Sequence, residues 1–133
     1  MKSTRHGVAA ILGYVLPSTL LLHAQPGSLD MTFNPGTGAN ASVACMALET
    51  NGQIVIGGNF TSFNGVNQNY VARLNADGSL DSSFNPGLGP VSSYPPLVDA
   101  LAVEADGEVL VGGGFSAWNG LSWNEPICLR TDG

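Results

Sequence analysis

The sequence is poor in charge, and poorer still in positive charge. Of its 133 residues 11% are charged, against about a quarter in an ordinary globular chain. The cations are Lys2, Arg5, Arg73 and Arg130, set against ten carboxylates. The only lysine and both histidines, His6 and His23, stand near the N-terminus. From Gln25 onward there is no lysine and no histidine, and the net charge there is about −8. Lack of histidine excludes a Ser-His-Asp or Cys-His relay in that portion. Two distant cysteines without histidine exclude the usual zinc sites. Such acidity makes nucleic acid and an anionic membrane surface poor partners. Two cysteines also make no disulfide framework. Cys45 and Cys128 each fall in a strand-like run and read as small core residues, with a Cys45–Cys128 bridge left open. Helical periodicity is missing after residue 25 as well.

The N-terminal segment is written differently. Lys2, Arg5 and His6 precede the apolar run "VAAILGYVLPSTLLL", which "HAQPGS" follows. That order reads as a Sec-type signal peptide over residues 1–24, cut after Ala24. The run is short for a spanning helix, so the expectation is export without membrane insertion once the signal is removed. The location is then extracellular, cell-surface or periplasmic; an uncleaved anchor is the alternative.

Residues 25–133 contain a sentence written twice. "SLDMTFNPGTG" begins at Ser28 and "SLDSSFNPGLG" at Ser79. The units run over residues 27–77 and 78–133. Asp30 faces Asp81 and Phe33 faces Phe84. Farther on, past the insertion "VSSYPP", Gly57-Gly58 faces Gly112-Gly113 and Phe60 faces Phe115. These repeated residues read as architecture. "VACMALE" is apolar on both faces, as in a strand sandwiched between layers. "TNGQ" and "ADGE" read as two-residue hairpin turns, and "QIVIGG" and "EVLVGG" as second strands. The glycine pairs mark a bulge or a close backbone approach. "TSFNG" and "SAWNG" turn into a third strand, and "SLDSSF" is a short fourth. Four short antiparallel strands per unit of about fifty residues predict propeller blades.

"DGEVLVGGGF", "NGQIVIGGNF", "RLNADGSLDSSFNPG" and the paired "GSLD" resemble delta-60 repeats. These are the modules of a bacterial secreted β-propeller family of unknown function. The resemblance implies an all-β fold of tandem four-stranded blades. About two blades are present, where a closed propeller has four or more. The expectation is an N-terminal portion of a longer propeller, with the remaining blades or self-association as partners.

Candidate sites are few. Asn75, Asp77 and Asp81 in "NADGSLD" alternate oxygen ligands as calcium loops do, and Asn/Asp-stabilised turns explain them equally well. No other cofactor is expected. "GTGANA" fits a dinucleotide-binding pattern but lacks the crossover helix that gives the pattern meaning. Tyr94 lies in the insertion, and Trp123 stands where the first unit has Gln68. Loop insertions in repeat folds often form the binding face, so Tyr94 and Trp123 are the candidates for stacking on a glycan or a surface protein. The reading is a non-catalytic exported scaffold, with a carbohydrate-binding or carbohydrate-active propeller as the alternative.

Overall fold

The computed structural model describes residues 27–92, 94–123 and 126–133. The expected signal peptide over residues 1–24 lies outside them. The described chain is all strand and turn. In order the strands are β1 (Val43–Leu48), β2 (Ile54–Gly58), β3 (Ser62–Phe63), β4 (Val66–Asn67), β5 (Val71–Leu74), β6 (Pro90–Val91), β7 (Val98–Val103), β8 (Val109–Gly113), β9 (Ala117–Trp118), β10 (Leu121–Ser122) and β11 (Ile127–Leu129). Two antiparallel three-stranded sheets dominate, β1-β2-β5 and β7-β8-β11. They are two blades of an incomplete propeller, and their registers repeat. Cys45 pairs with Gly57 as Ala100 pairs with Gly112, and Ile56 pairs with Ala72 as Val111 pairs with Ile127. Even the irregularity recurs, between Val43 and Cys45 and between Val98 and Ala100.

The core forms where one blade lies on the next. Val55 and Val71 of the first blade pack with Val98, Val109, Val111, Ile127 and Leu129 of the second. Period-two alternation explains which residues meet. Phe84 is 0% exposed at this junction. A second cluster, Ile56, Phe60, Phe63, Ala72 and Leu74, occupies the other face of the first blade, with Ala39 against it.

Several expectations are corrected. β1 is not sandwiched: Met46 and Leu48, on the face turned away from the second blade, are 70% and 72% exposed, because no neighbouring blade among the described residues covers them. "TNGQ" and "ADGE" are not two-residue turns. Only the glycines take positive φ, Gly52 and Gly107 both at 88°, and Gly52 N–H donates to Glu49 O. That is a three-residue loop ending in a left-handed glycine. The Asn51 side chain favours it by accepting from Gln53 N–H at 2.8 Å. The true two-residue turns are Asn64-Gly65, at φ 49° and 77°, and Asn119-Gly120, at 51° and 80°. They close the small hairpins β3-β4 and β9-β10, where only turns were expected. The fourth strand shrinks to one bridge, Leu74 with Leu80, since Asp81 bends the chain by accepting from Ser83 N–H and Oγ–H.

The second glycine of each pair is a close approach: a Cβ at Gly58 would collide with Ser42 O, and one at Gly113 with Leu97 O, each opposite the bulge in the neighbouring strand.

Candidate functional site

The segment "SLDSSFNPG" carries the chain from one blade to the next. Its first half completes the outer edge of the first blade: Asp81 N–H donates to Arg73 O at 2.8 Å, beside the Leu74–Leu80 bridge. Its second half reaches the second blade, where Asn85 N–H donates to Asp132 O at 2.8 Å. Arg73 organises the junction. Its Nε donates to Asp81 Oδ2 at 2.8 Å, and its Nη1 lies 3.6 Å from Glu49 Oε1 and donates to Thr131 O at 2.7 Å. The guanidinium also lies 4.8 Å from the centre of the Phe84 ring, a cation–π contact. Gln53 Nε2 bridges Asn75 Oδ1 and Asp81 Oδ2.

Burial would push the Asp81 carboxyl up. The bonds from Ser83 and from Arg73 outweigh it and hold the group at about 2. Asp77 accepts from Ser79 N–H and Oγ–H, and the side-chain bond holds its carboxyl below the ordinary range. Asp30 does the same with Thr32. Asn75 Nδ2 donates to Ser79 Oγ. The three calcium candidates, Asn75, Asp77 and Asp81, are thus committed to turns and to the Arg73 junction.

The corresponding place on the second blade has other chemistry. Cys128 stands where Arg73 stands, Glu108 where Gln53 stands, and Glu104 where Glu49 stands. Glu104, Asp106 and Glu108 bring carboxylate oxygens within 4.8 Å of one another. Cys128 Sγ donates to Glu108 Oε2 at 3.2 Å. That bond comes first, then burial, then the surrounding negative charge, in raising the thiol to about 11. At neutral pH Cys128 is protonated and a poor nucleophile. It is exposed, which corrects the expectation of a core residue: β8 and β11 have no blade over that face among the described residues. Cys45 is half-buried against the second blade, its thiol raised by burial and by Asp99. Both cysteines are free.

Beside Cys128 lies an open groove of about 290 Å³ lined by Trp118, Leu121, Trp123 and Leu129. Trp123 is 51% exposed. Tyr94 is exposed on its loop, does not line this groove, and donates its backbone N–H to Ser92 Oγ. The structure brings Trp123 to a concave surface and leaves Tyr94 apart. Sequence reading pairs the carboxylates of Asp106 and Glu108, in an Asp-Gly turn, and misses Glu104 beside them and the groove. The signal was present in the departures between copies, with Arg73 against Cys128 and Gln53 against Glu108.

Residues 49–84 match the family model described as "Domain of unknown function (DUF5122) beta-propeller". No match was found among curated proteins, and none among solved structures. The matched stretch runs from the first hairpin loop to Phe84, so the hairpin, the outer strand and the crossing segment of the first blade are similar to a β-propeller domain of unknown function.

Proposed function

We propose that the chain is an exported, non-catalytic β-propeller module that acts as a scaffold for binding or surface display. The observation that carries this reading is an apolar face of the first blade that no blade among the described residues covers, where Met46 is 70% and Leu48 72% exposed. A surface of this kind is a site of association. The likeness of the repeats to delta-60 modules and the signal-like N-terminus favour export. Fusing residues 1–24 to a reporter that is active only outside the cytoplasm tests this, with an active reporter expected. A reporter retained inside the cell contradicts export. A scaffold role expects ligand capture without turnover; substrate turnover that depends on Asp77 or Asp81 overturns it.

A carbohydrate-binding reading rests on one observation, the exposed Trp123 indole beside Trp118 in a concave groove, a stacking surface for a sugar ring. Glycan-array binding lost in Trp123→Ala supports it. An array on which the parent and the variant are equally silent removes it.

A further inference from the structure

Three Asn-Gly pairs stand in the chain, Asn51-Gly52, Asn64-Gly65 and Asn119-Gly120. Such a pair carries a latent reaction. The glycine amide nitrogen can attack the asparagine Cγ, because glycine has no side chain to block the approach. All three asparagines are exposed, so exposure does not separate them. Hydrogen bonding does.

Asn51 is locked at its reacting atoms. Gly52 N–H, the attacking group, donates to Glu49 O at 3.0 Å. Asn51 Nδ2, the leaving group, donates to Glu49 Oε2 at 3.1 Å and to Gln53 Oε1 at 2.8 Å. Asn64 is arranged the other way. Among the described residues neither Gly65 N–H nor Asn64 Nδ2 has an acceptor. A Cβ at Gly65 would meet nothing within 4 Å, so the turn is open to water and to solvent base. The bonds at Asn64 fall on Oδ1 instead, from Gly38 N–H at 2.8 Å and Thr37 Oγ1–H at 3.1 Å. Negative charge develops on that oxygen when Cγ is attacked, and two donors aimed at it stabilise the charge. Asn119 is intermediate. Gly120 N–H has no acceptor among the described residues, but Asn119 Nδ2 donates to Pro86 O at 3.4 Å and Oδ1 accepts from Gly89 N–H at 3.0 Å.

We propose that Asn64-Gly65 is a site of self-modification, at which Asn64 becomes aspartate or isoaspartate through a cyclic imide, with water as the co-reactant. Solvent base takes the proton from Gly65 N–H. The nitrogen bonds to Cγ, the Cγ–Nδ2 bond breaks, and Nδ2 leaves as ammonia with a proton from water. Water then adds to one of the two imide carbonyls. Opening between Cγ and the nitrogen gives aspartate. Opening on the main-chain side leaves the backbone running through Cβ and Cγ, which is isoaspartate. The two products differ in consequence. Aspartate keeps an oxygen for Gly38 N–H and Thr37 Oγ1–H. Isoaspartate adds a methylene to the backbone of a two-residue turn. That pulls on the ties that hold residues 38–40 to this hairpin, Asn64 N–H to Gly38 O at 2.9 Å and Asn40 N–H to Ser62 O at 3.0 Å. The inference rests on the fold and is independent of export and of any ligand.

Peptide mapping by mass spectrometry tests it, on the full chain aged in mildly alkaline buffer with and without denaturant. In denaturant the three pairs are expected to react at similar rates, since all are Asn-Gly. In the folded chain Asn64 is expected to react at least about tenfold faster than Asn51, whose bonds must break first, with Asn119 between them. Thr37→Val, at an exposed position, removes one donor to Oδ1 and is expected to slow Asn64 severalfold and leave Asn119 unchanged. The isoaspartyl fraction is expected to lose hydrogen-exchange protection at the Asn40 amide. Asn51 reacting as fast as Asn64 in the folded chain overturns the proposal, as does a folded chain in which Asn64 is as inert as Asn51. Faster reaction of Asn64 in Thr37→Val overturns it too, since the bonds to Oδ1 would then be protecting the side chain.

Discussion

Residues 28–38 and 79–89 spell nearly the same sentence, yet among the described residues their surroundings differ. Phe84 is fully buried between blades while Phe33 stands partly in solvent. Asp81 sits in an ion pair with Arg73, while among the described residues Asp30 bonds its own turn through Thr32. The local bends are the same in both. Asp30 and Asp81 each cap a turn, and Asn34 and Asn85 each anchor to the aspartate that ends their own unit. Local sequence therefore sets the shape of the segment, and the neighbouring blade sets its energy. The same contrast runs through the glycine pairs. Gly57 is covered by the second blade; a Cβ there would lie 2.6 Å from Val98 Cγ1 and 2.8 Å from Cys45 Sγ. At Gly112 the nearest atom is Ala100 Cβ at 3.5 Å, an ordinary contact.

Substitutions at paired positions sharpen this contrast. Phe84→Ala is expected to cost about 3–5 kcal/mol in denaturant unfolding, because it empties a fully packed site. Phe33→Ala is expected to cost less, about 1–2 kcal/mol, since Phe33 keeps 37% of its surface exposed. Arg73→Met leaves the carboxylates of Glu49 and Asp81 enclosed without their cation. The expected loss is about 3 kcal/mol, and Cys128→Met should be near neutral by the same assay. Gly57→Ala should cost roughly 1–3 kcal/mol through overpacking, with Gly112→Ala within about 0.5 kcal/mol of the parent.

Acid also separates the two copies. The Asp81 carboxyl lies below its ordinary value when folded, so its stabilising contribution is complete above about pH 4. It fades as pH falls towards about 2. In Asp81→Asn that acid-sensitive portion should be missing from the unfolding profile. A parent and variant with parallel acid limbs would contradict the assignment.

The repeat made the blades legible before any coordinates. Alternation in "QIVIGG" and "EVLVGG", and the glycine pairs, place β2 and β8 correctly. The hairpin turns were misplaced because Asn-Gly and Asp-Gly serve two geometries. In "TNGQ" Asn51 bonds forward to Gln53, which selects a three-residue loop. In "FNGV" Asn64 itself takes positive φ, and its side chain accepts from Gly38 N–H. Periodicity cannot see that difference, which depends on a segment twenty-six residues away. β1 was read as covered on both faces because its sequence is apolar on both faces. Pattern reports what a strand can bury, and neighbours decide what it does bury. The groove at Trp123 escaped for a related reason: Cys128 and Trp123, which line it, replace Arg73 and Gln68, the residues that touch Phe84 in the first blade.

Amide hydrogen exchange at low protein concentration tests the central contrast most directly. Asp81 N–H is bonded to Arg73 O in the mated junction, and Asp30 has no strand beside it among the described residues. The expected result is an Asp81 amide protected to nearly the full unfolding free energy, with Asp30 exchanging at close to the rate of an open chain. Equal protection at the two positions would contradict the account.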